Sequence, residues 1–186
     1  MNTRDKYVNF EALNKKEQVR VDFRIRVRRR RSNVAIIAPH GGKIEAGTSE
    51  IAAAIAANGY SLYCFEGLKR RRNQDLHLTS TRFDEPQCLE LVRAHDYVVA
   101  VHGCKGPKVI TFLGGKDERL RNTICKWLKA AEFETGVHPK PRMQGVDPCN
   151  ICNRGRRKRG VQLEISRGLR KRLTADRDLL TRVKTQ

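Results

Sequence analysis

The sequence predicts an α/β fold, a single domain in which a mixed, mostly parallel sheet is flanked by helices. Three observations predict it. Short apolar runs of strand length recur at residues 34–38, 60–65, 96–101, 108–113 and 160–166; they are continuous rather than alternating, as in strands covered on both faces. Segments with helical spacing lie between several of them. Three of the runs lead into His-Gly or Gly-Gly, where a strand of an α/β sheet opens into a loop at its carboxyl edge. At 186 residues the chain is long enough for one domain with a full core and too short for two of ordinary size. Within it, residues 1–31 read as an amino-terminal segment with a basic edge strand, 34–170 as the core and 173–184 as a carboxy-terminal helix.

Residues 1–17 scatter Tyr7, Val8, Phe10 and Leu13 among charges and predict a short helix or docked turn. Residues 19–31 alternate Val21, Phe23, Ile25 and Val27 with Arg20, Asp22, Arg24, Arg26 and Arg28, the period of two of a half-exposed edge strand. Its arginines can form a rail for a polyanion or a charged edge that prevents pairing with another sheet. Residues 28–31 turn into the strand at 34–38. Thr48 or Ser49 then caps a helix that runs to about Ala57 and is stopped by Asn58 and Gly59. A buried strand at 60–65 is followed by a basic loop at 69–72. The segment 76–83 alternates before a turn at Asp84, Glu85 and Pro86, and 87–94 is a short helix feeding the strand at 96–101. Beyond the strand at 108–113, residues 117–132 form a longer helix with Leu120, Ile124, Trp127, Leu128 and Ala131 on one face. That spacing is core packing, with Trp127 structural. Residues 135–152, rich in Pro, Gly and Asn, read as a long loop with His138 on the surface. A final helix at 174–183 turns Leu173, Leu179 and Leu180 inward.

Two strands share one ending. The run at 34–38 leads into Pro39, His40, Gly41 and Gly42 with Glu45 beyond, and the run at 96–101 leads into His102 and Gly103. Neighbouring strands that each finish in a histidine at the same edge bring the two imidazoles together. Imidazole nitrogen and carboxylate oxygen suit zinc, and two histidines with one glutamate leave the open position of a catalytic site. The spacing matches no standard short motif. Glu164, a lone carboxylate in the apolar strand at 160–166, is a candidate general base. Glu66 is a candidate ligand by the same strand-end logic. His77 is a candidate neighbour of the site, and Arg82 a candidate anchor for a substrate carboxylate, because the guanidinium fork matches a carboxylate bidentately.

The formal charge of +19 and pI of about 10.3 make a polyanion the expected partner. Nucleic acid is one such polyanion. Aromatic residues are only 6% of the chain, and no basic run carries a stacking platform, which argues against single-strand binding. Six cysteines without a signal peptide or membrane-spanning run read as reduced thiols in a protein made in the cytoplasm. Cys149 and Cys152 form a CxxC without a second pair, open to either a structural zinc or a disulfide formed after release.

Six segments carry a family resemblance: APHGG.IE.GTSE, SLY.FEGLK, LH.TST.FDEP, DYV.A.HGC, FLGG.D and GVQLEISRGLR. They resemble the poly-γ-glutamate hydrolase family, encoded by phages and some bacteria, over residues 34–170 and more weakly towards the amino terminus. The resemblance implies a compact zinc carboxypeptidase-like fold, Zn2+ held by two histidines and a glutamate, and a second glutamate as base. Those roles fall on His40, Glu45, His102 and Glu164. In zinc carboxypeptidases an adjacent Asn and Arg hold the substrate carboxylate, and Asn153 and Arg154 resemble that pair. Arg154, Arg156, Arg157, Lys158 and Arg159 also read as a mobile basic loop, which is compatible with that pairing. At Arg82 the chain departs from the family, for which the resemblance implies a histidine or another polar residue. The expectation is a monomeric, zinc-dependent hydrolase of γ-glutamyl amide bonds in an anionic polymer, with no membrane association, released on host lysis. The alternatives are a zinc deacylase of small acylated amino acids and a non-enzymatic nucleic-acid-binding protein in which His40 and His102 are structural.

Overall fold

Seven strands line up in one sheet in the computed structural model, which describes residues 5–182. They are β1 (Phe23–Arg28), β2 (Val34–Gly42), β3 (Ser61–Gly67), β4 (Tyr97–Cys104), β5 (Thr111–Gly114), β6 (Thr135–Gly136) and β7 (Val161–Ser166). Their order across the sheet is β1, β3, β2, β4, β7, β5, β6. The four central strands run parallel, β1 and β5 join antiparallel on either side, and β6 pairs parallel with β5. This is the mixed, mostly parallel sheet that the uninterrupted apolar runs predict.

Both faces are covered. On one face Phe23, Ile37, Tyr63, Phe65 and Val98 pack with Leu13 of α1 (Phe10–Asn14), Leu91 of α3 (Pro86–Arg93) and Ile151. On the other, Ile36, Val99, Val101 and Leu163 pack with Ile51 of α2 (Thr48–Ala56) and with Leu169 and Leu173 of α5 (Arg167–Ala175). Strands buried on both sides have no solvent face to alternate with, and so their sequences do not alternate.

Strand β2 runs further than its apolar stretch. Gly41 and Gly42 pair with Glu66 and Gly67 of β3 after a register shift between Ala38 and Gly41. Pro39, with no N–H to give to a ladder, sits in that irregularity. His40 therefore lies inside the strand at a bulge, where its ring is re-aimed, rather than in the loop after it.

Several sequence expectations are corrected. The edge strand starts at Phe23, because Val21 N–H and Asp22 N–H turn back to the Gln18 carbonyl and Arg20 is left-handed at φ 69°; Val19 and Val21 are exposed. Arg24 and Arg26 pair with buried Glu66 and Arg28 donates to the Ala57 carbonyl, so these arginines are engaged at the sheet edge and Glu66 serves as their counter-ion. Helix α2 has Gly47 at its N-cap. Thr48 instead donates back to the Glu45 carbonyl and Ser49 accepts from Gly42 N–H. The strand expected from Tyr60 begins at Ser61, and the segment at 76–83 is no strand; its apolar Leu76, Leu78 and Phe83 are nonetheless buried.

Helix α4 (Glu118–Ala130) turns its apolar face to the sheet, yet none of its residues is fully buried and Trp127 is 48% exposed. Trp127 is not a core residue. His138 is buried rather than on the surface, with its ring 4.9 Å from Phe112 and its Nδ1 accepting from Lys140 N–H. The last helix is two, α5 and α6 (Arg177–Arg182), because the Asp176 side chain caps a new start by accepting from Asp178 and Leu179 N–H. Residues 183 and 184 of the expected helix lie outside the described residues. All six cysteines are free. Among the described residues no helix is long and apolar enough to cross a membrane.

The entry to β7 is set by a close approach at Gly160. A Cβ there would lie 2.0 Å from the Cys152 carbonyl oxygen and 2.8 Å from that of Val98, both backbone atoms. Gly160→Ala is expected to lower stability by about 2–3 kcal/mol in urea unfolding; an unchanged midpoint would contradict this packing.

Candidate metal centre

The carboxyl ends of β2 and β4 bring His40 and His102 together, both buried. Their Nδ1 atoms are 3.1 Å apart. Glu45, from the loop between β2 and α2, places Oε1 3.4 Å from His40 Nδ1 and Oε2 3.8 Å from His102 Nδ1. Donor atoms of a tetrahedral zinc site with bonds of about 2.0–2.1 Å are separated by roughly 3.3–3.4 Å, so these three fit one small cation. Outer hydrogen bonds aim the ligand atoms. His40 Nε2 lies 2.7 Å from the Leu78 carbonyl and so carries the proton there, which turns Nδ1 inward. His102 Nε2 faces the Ser80 hydroxyl at 3.5 Å, and Glu45 Oε2 accepts from Gly103 N–H at 2.7 Å.

Burial opposes charge on Glu45, but His40, His102 and the Gly103 N–H outweigh it and hold the carboxyl at about 2. Burial also works against a proton on His40, yet Glu45 beside it raises its affinity above the ordinary value. On His102 burial and neighbouring His40 act together and push it down to about 3. Without a cation, the pair thus keeps its proton on His40.

Glu164 sits opposite His102 in the β4–β7 register. Burial, then the Glu45 charge, raises it well above the carboxylate range. Its Oε1 accepts from Gln162 Nε2 at 3.0 Å, and Gln162 is itself held by Asn150 Nδ2 and the Met143 carbonyl. Buried Arg170, which the sequence reading missed, ties the surroundings together. Its Nε donates to the Ala46 carbonyl at 2.8 Å, and its Nη1 to those of Ile165 at 2.8 Å and Cys104 at 3.3 Å. The loop carrying Glu45 is thereby clamped to β4 and β7. Gly103 leaves room for that guanidinium, since a Cβ would lie 1.9 Å from Nη1.

His77 stacks on His40 with ring centroids 4.1 Å apart. One of its nitrogens lies within 4.8 Å of donor atoms of His40 and Glu45. We take His102 as the third donor, because its Nδ1 lies 3.1 Å from His40 Nδ1 and 3.8 Å from Glu45 Oε2, whereas His77 Nδ1 is already bound to Asp5 Oδ1 at 2.9 Å. Arg82 Nη2 donates to Asp5 Oδ2 at 2.6 Å and remains half exposed. Asn153 is fully buried. Its amide donates to the Gly145 and Asp147 carbonyls and accepts from Lys116 and Gly160 N–H, which leaves no donor for a substrate carboxylate. Arg154 donates to the Phe83 carbonyl at 3.2 Å.

The poly-gamma-glutamate hydrolase family model matches residues 7–186. The chain is similar to the UPF0714 protein YmaC of Bacillus subtilis (strain 168), 41% identical over 168 residues, which are 89% of this chain and 71% of that protein. A solved structure of a bacteriophage poly-gamma-glutamate hydrolase superposes with a TM-score of 0.90 at 35% identity, covering 98% of this chain and 96% of that one. A structure of YndL described as apo and zinc-free superposes with a TM-score of 0.86 at 38% identity, covering 91% and 84%.

A cation needs Nδ1 of His40 bare, whereas the cation-free site holds a proton there above the ordinary 6.5. Loading a divalent cation near pH 6.5 should therefore release more than half a proton, approaching one at lower pH, where affinity should fall by up to about tenfold per pH unit. Calorimetric titration in two buffers of different ionisation enthalpy reads the proton directly; identical heats in both would contradict the assignment.

Proposed function

The chain belongs to the poly-gamma-glutamate hydrolase family, and from that premise we propose that it hydrolyses the γ-glutamyl amide bonds of poly-γ-glutamate with His40, Glu45 and His102 holding Zn2+ and Glu164 as general base. The observation that carries the reading is the convergence of two imidazole nitrogens and a carboxylate within 3.1–3.8 Å, beside a second buried carboxyl. Bound there, Zn2+ would polarise the scissile carbonyl and lower the pKa of water. Glu164 takes a proton from the attacking water and returns it to the leaving amine. Its raised proton affinity makes it a stronger base than an ordinary carboxylate. Gln162 holds one Glu164 oxygen, so the other is the one offered to water.

Arg82 and Arg154, with His77, are the groups proposed to recognise the free α-carboxylate that a γ-linked chain displays beside each scissile bond. Asn153 contributes by holding the loop that carries Arg154. The charge of +19 steers an anionic polymer towards the site, which favours the polymer over a small acylated amino acid as substrate.

Purified protein incubated with poly-γ-glutamate should shorten it, and both a chelator and Glu164→Gln should slow the shortening by roughly 100-fold or more. Size-exclusion chromatography of the polymer follows the reaction. Shortening that survives the chelator, or a Glu164→Gln protein as fast as the parent, would refute the mechanism.

A further inference from the structure

Asp5 is a residue that no sequence pattern singled out, and its side chain is almost fully buried, at 1% exposure. Its two oxygens take three hydrogen bonds from one short segment more than 70 residues away. Oδ1 accepts from His77 Nδ1 at 2.9 Å, and Oδ2 accepts from Thr79 N–H at 2.7 Å and from Arg82 Nη2 at 2.6 Å. The same segment forms a wall of the metal centre: Leu78 supplies the carbonyl for His40, and His77 stacks on its ring. His77 and Arg82 keep 25% and 46% of their side chains exposed, so both are pinned on one side and open on the other.

We propose that Asp5 is a positioning residue that presents Arg82 and His77 as one preformed receptor for the free α-carboxylate of a γ-linked substrate, which makes the amino-terminal segment part of the specificity site. This rests on the hydrolase reading above. A guanidinium has five N–H donors in a fixed fork; one nitrogen engaged by Asp5 orients the rest. An arginine already held in place loses less side-chain freedom when a carboxylate binds, and the binding is correspondingly tighter. Asparagine is a weaker substitute of the same volume. With its oxygen towards Thr79 and Arg82, its NH2 faces His77 Nδ1, which can accept only in the other tautomer, and the negative charge that holds the Arg82 guanidinium is lost.

The test uses the zinc-loaded full chain, Asp5→Asn, and two substrates: a γ-glutamyl amide with a free α-carboxylate and the same compound with that group converted to a carboxamide. Asp5→Asn should lower kcat/KM on the carboxylate substrate about tenfold, mainly through KM. Turnover of the carboxamide and the zinc content should stay as in the parent. Equal losses on both substrates would show a merely structural role and overturn the proposal, as would no loss on either. Calorimetric binding of poly-γ-glutamate, read in parallel, separates this proposal from its premise. Parent protein that cuts, with Asp5→Asn cutting and binding alike, sinks only the role of Asp5. Parent protein that neither binds nor cuts sinks both.

Discussion

A carboxylate and two imidazoles held within 3.8 Å of one another, largely out of water, form the constraint to which the rest of the structure answers. Charge in such a place is expensive unless it is paired and hydrogen-bonded. Each surrounding group meets part of that requirement. Gly103 N–H satisfies one oxygen of Glu45 and the Leu78 carbonyl fixes the proton of His40. Thr48 holds the Glu45 carbonyl, and Arg170 anchors Ala46 to the ends of β4 and β7. The parallel sheet matters here because it delivers four strand ends to one edge, where these loops can meet.

The same physics separates the two glutamates. Glu45 sits among donors and cations, which favour its charge; Glu164 sits in an apolar strand beside that negative charge, which raises its proton affinity. The two carboxyls are thus pushed in opposite directions by their surroundings, the condition that the proposed division between a metal ligand and a base requires. Part of the positive charge is committed elsewhere: Arg24 and Arg26 neutralise Glu66, and Lys6 and Lys69 neutralise Glu17. The remaining excess leaves the surface a strongly positive field.

The sheet was legible because a strand covered on both faces writes an unbroken apolar run, and the His-Gly endings of β2 and β4 marked the edge where ligands meet. Those endings put His40 and His102 side by side with Glu45 in the loop beyond, and Glu164, a lone carboxylate in an apolar run, lies opposite His102. Asp5 and Arg170 could not be picked out, since each acts through a fold-made contact with residues far away in sequence and neither sits in a telling local pattern. Asn153 next to Arg154 looked like a carboxylate clamp, but adjacency in sequence does not say which backbone groups an amide will meet; it latches the loop. Trp127 obeys helical spacing and is still half exposed, because spacing shows which face is apolar and not how closely that face approaches the sheet. Val19 and Val21 continue a period of two that the backbone breaks with a turn at Arg20.

The central claim is that one cation is held by two imidazoles and one carboxylate. X-ray absorption at the zinc edge of the loaded protein tests it most directly. The account predicts a shell of nitrogen and oxygen at about 2.0–2.1 Å with outer-shell scattering from two imidazoles. Scattering from a third imidazole would put His77 in the shell, and sulfur at about 2.3 Å would move the metal to cysteine; either would contradict the account.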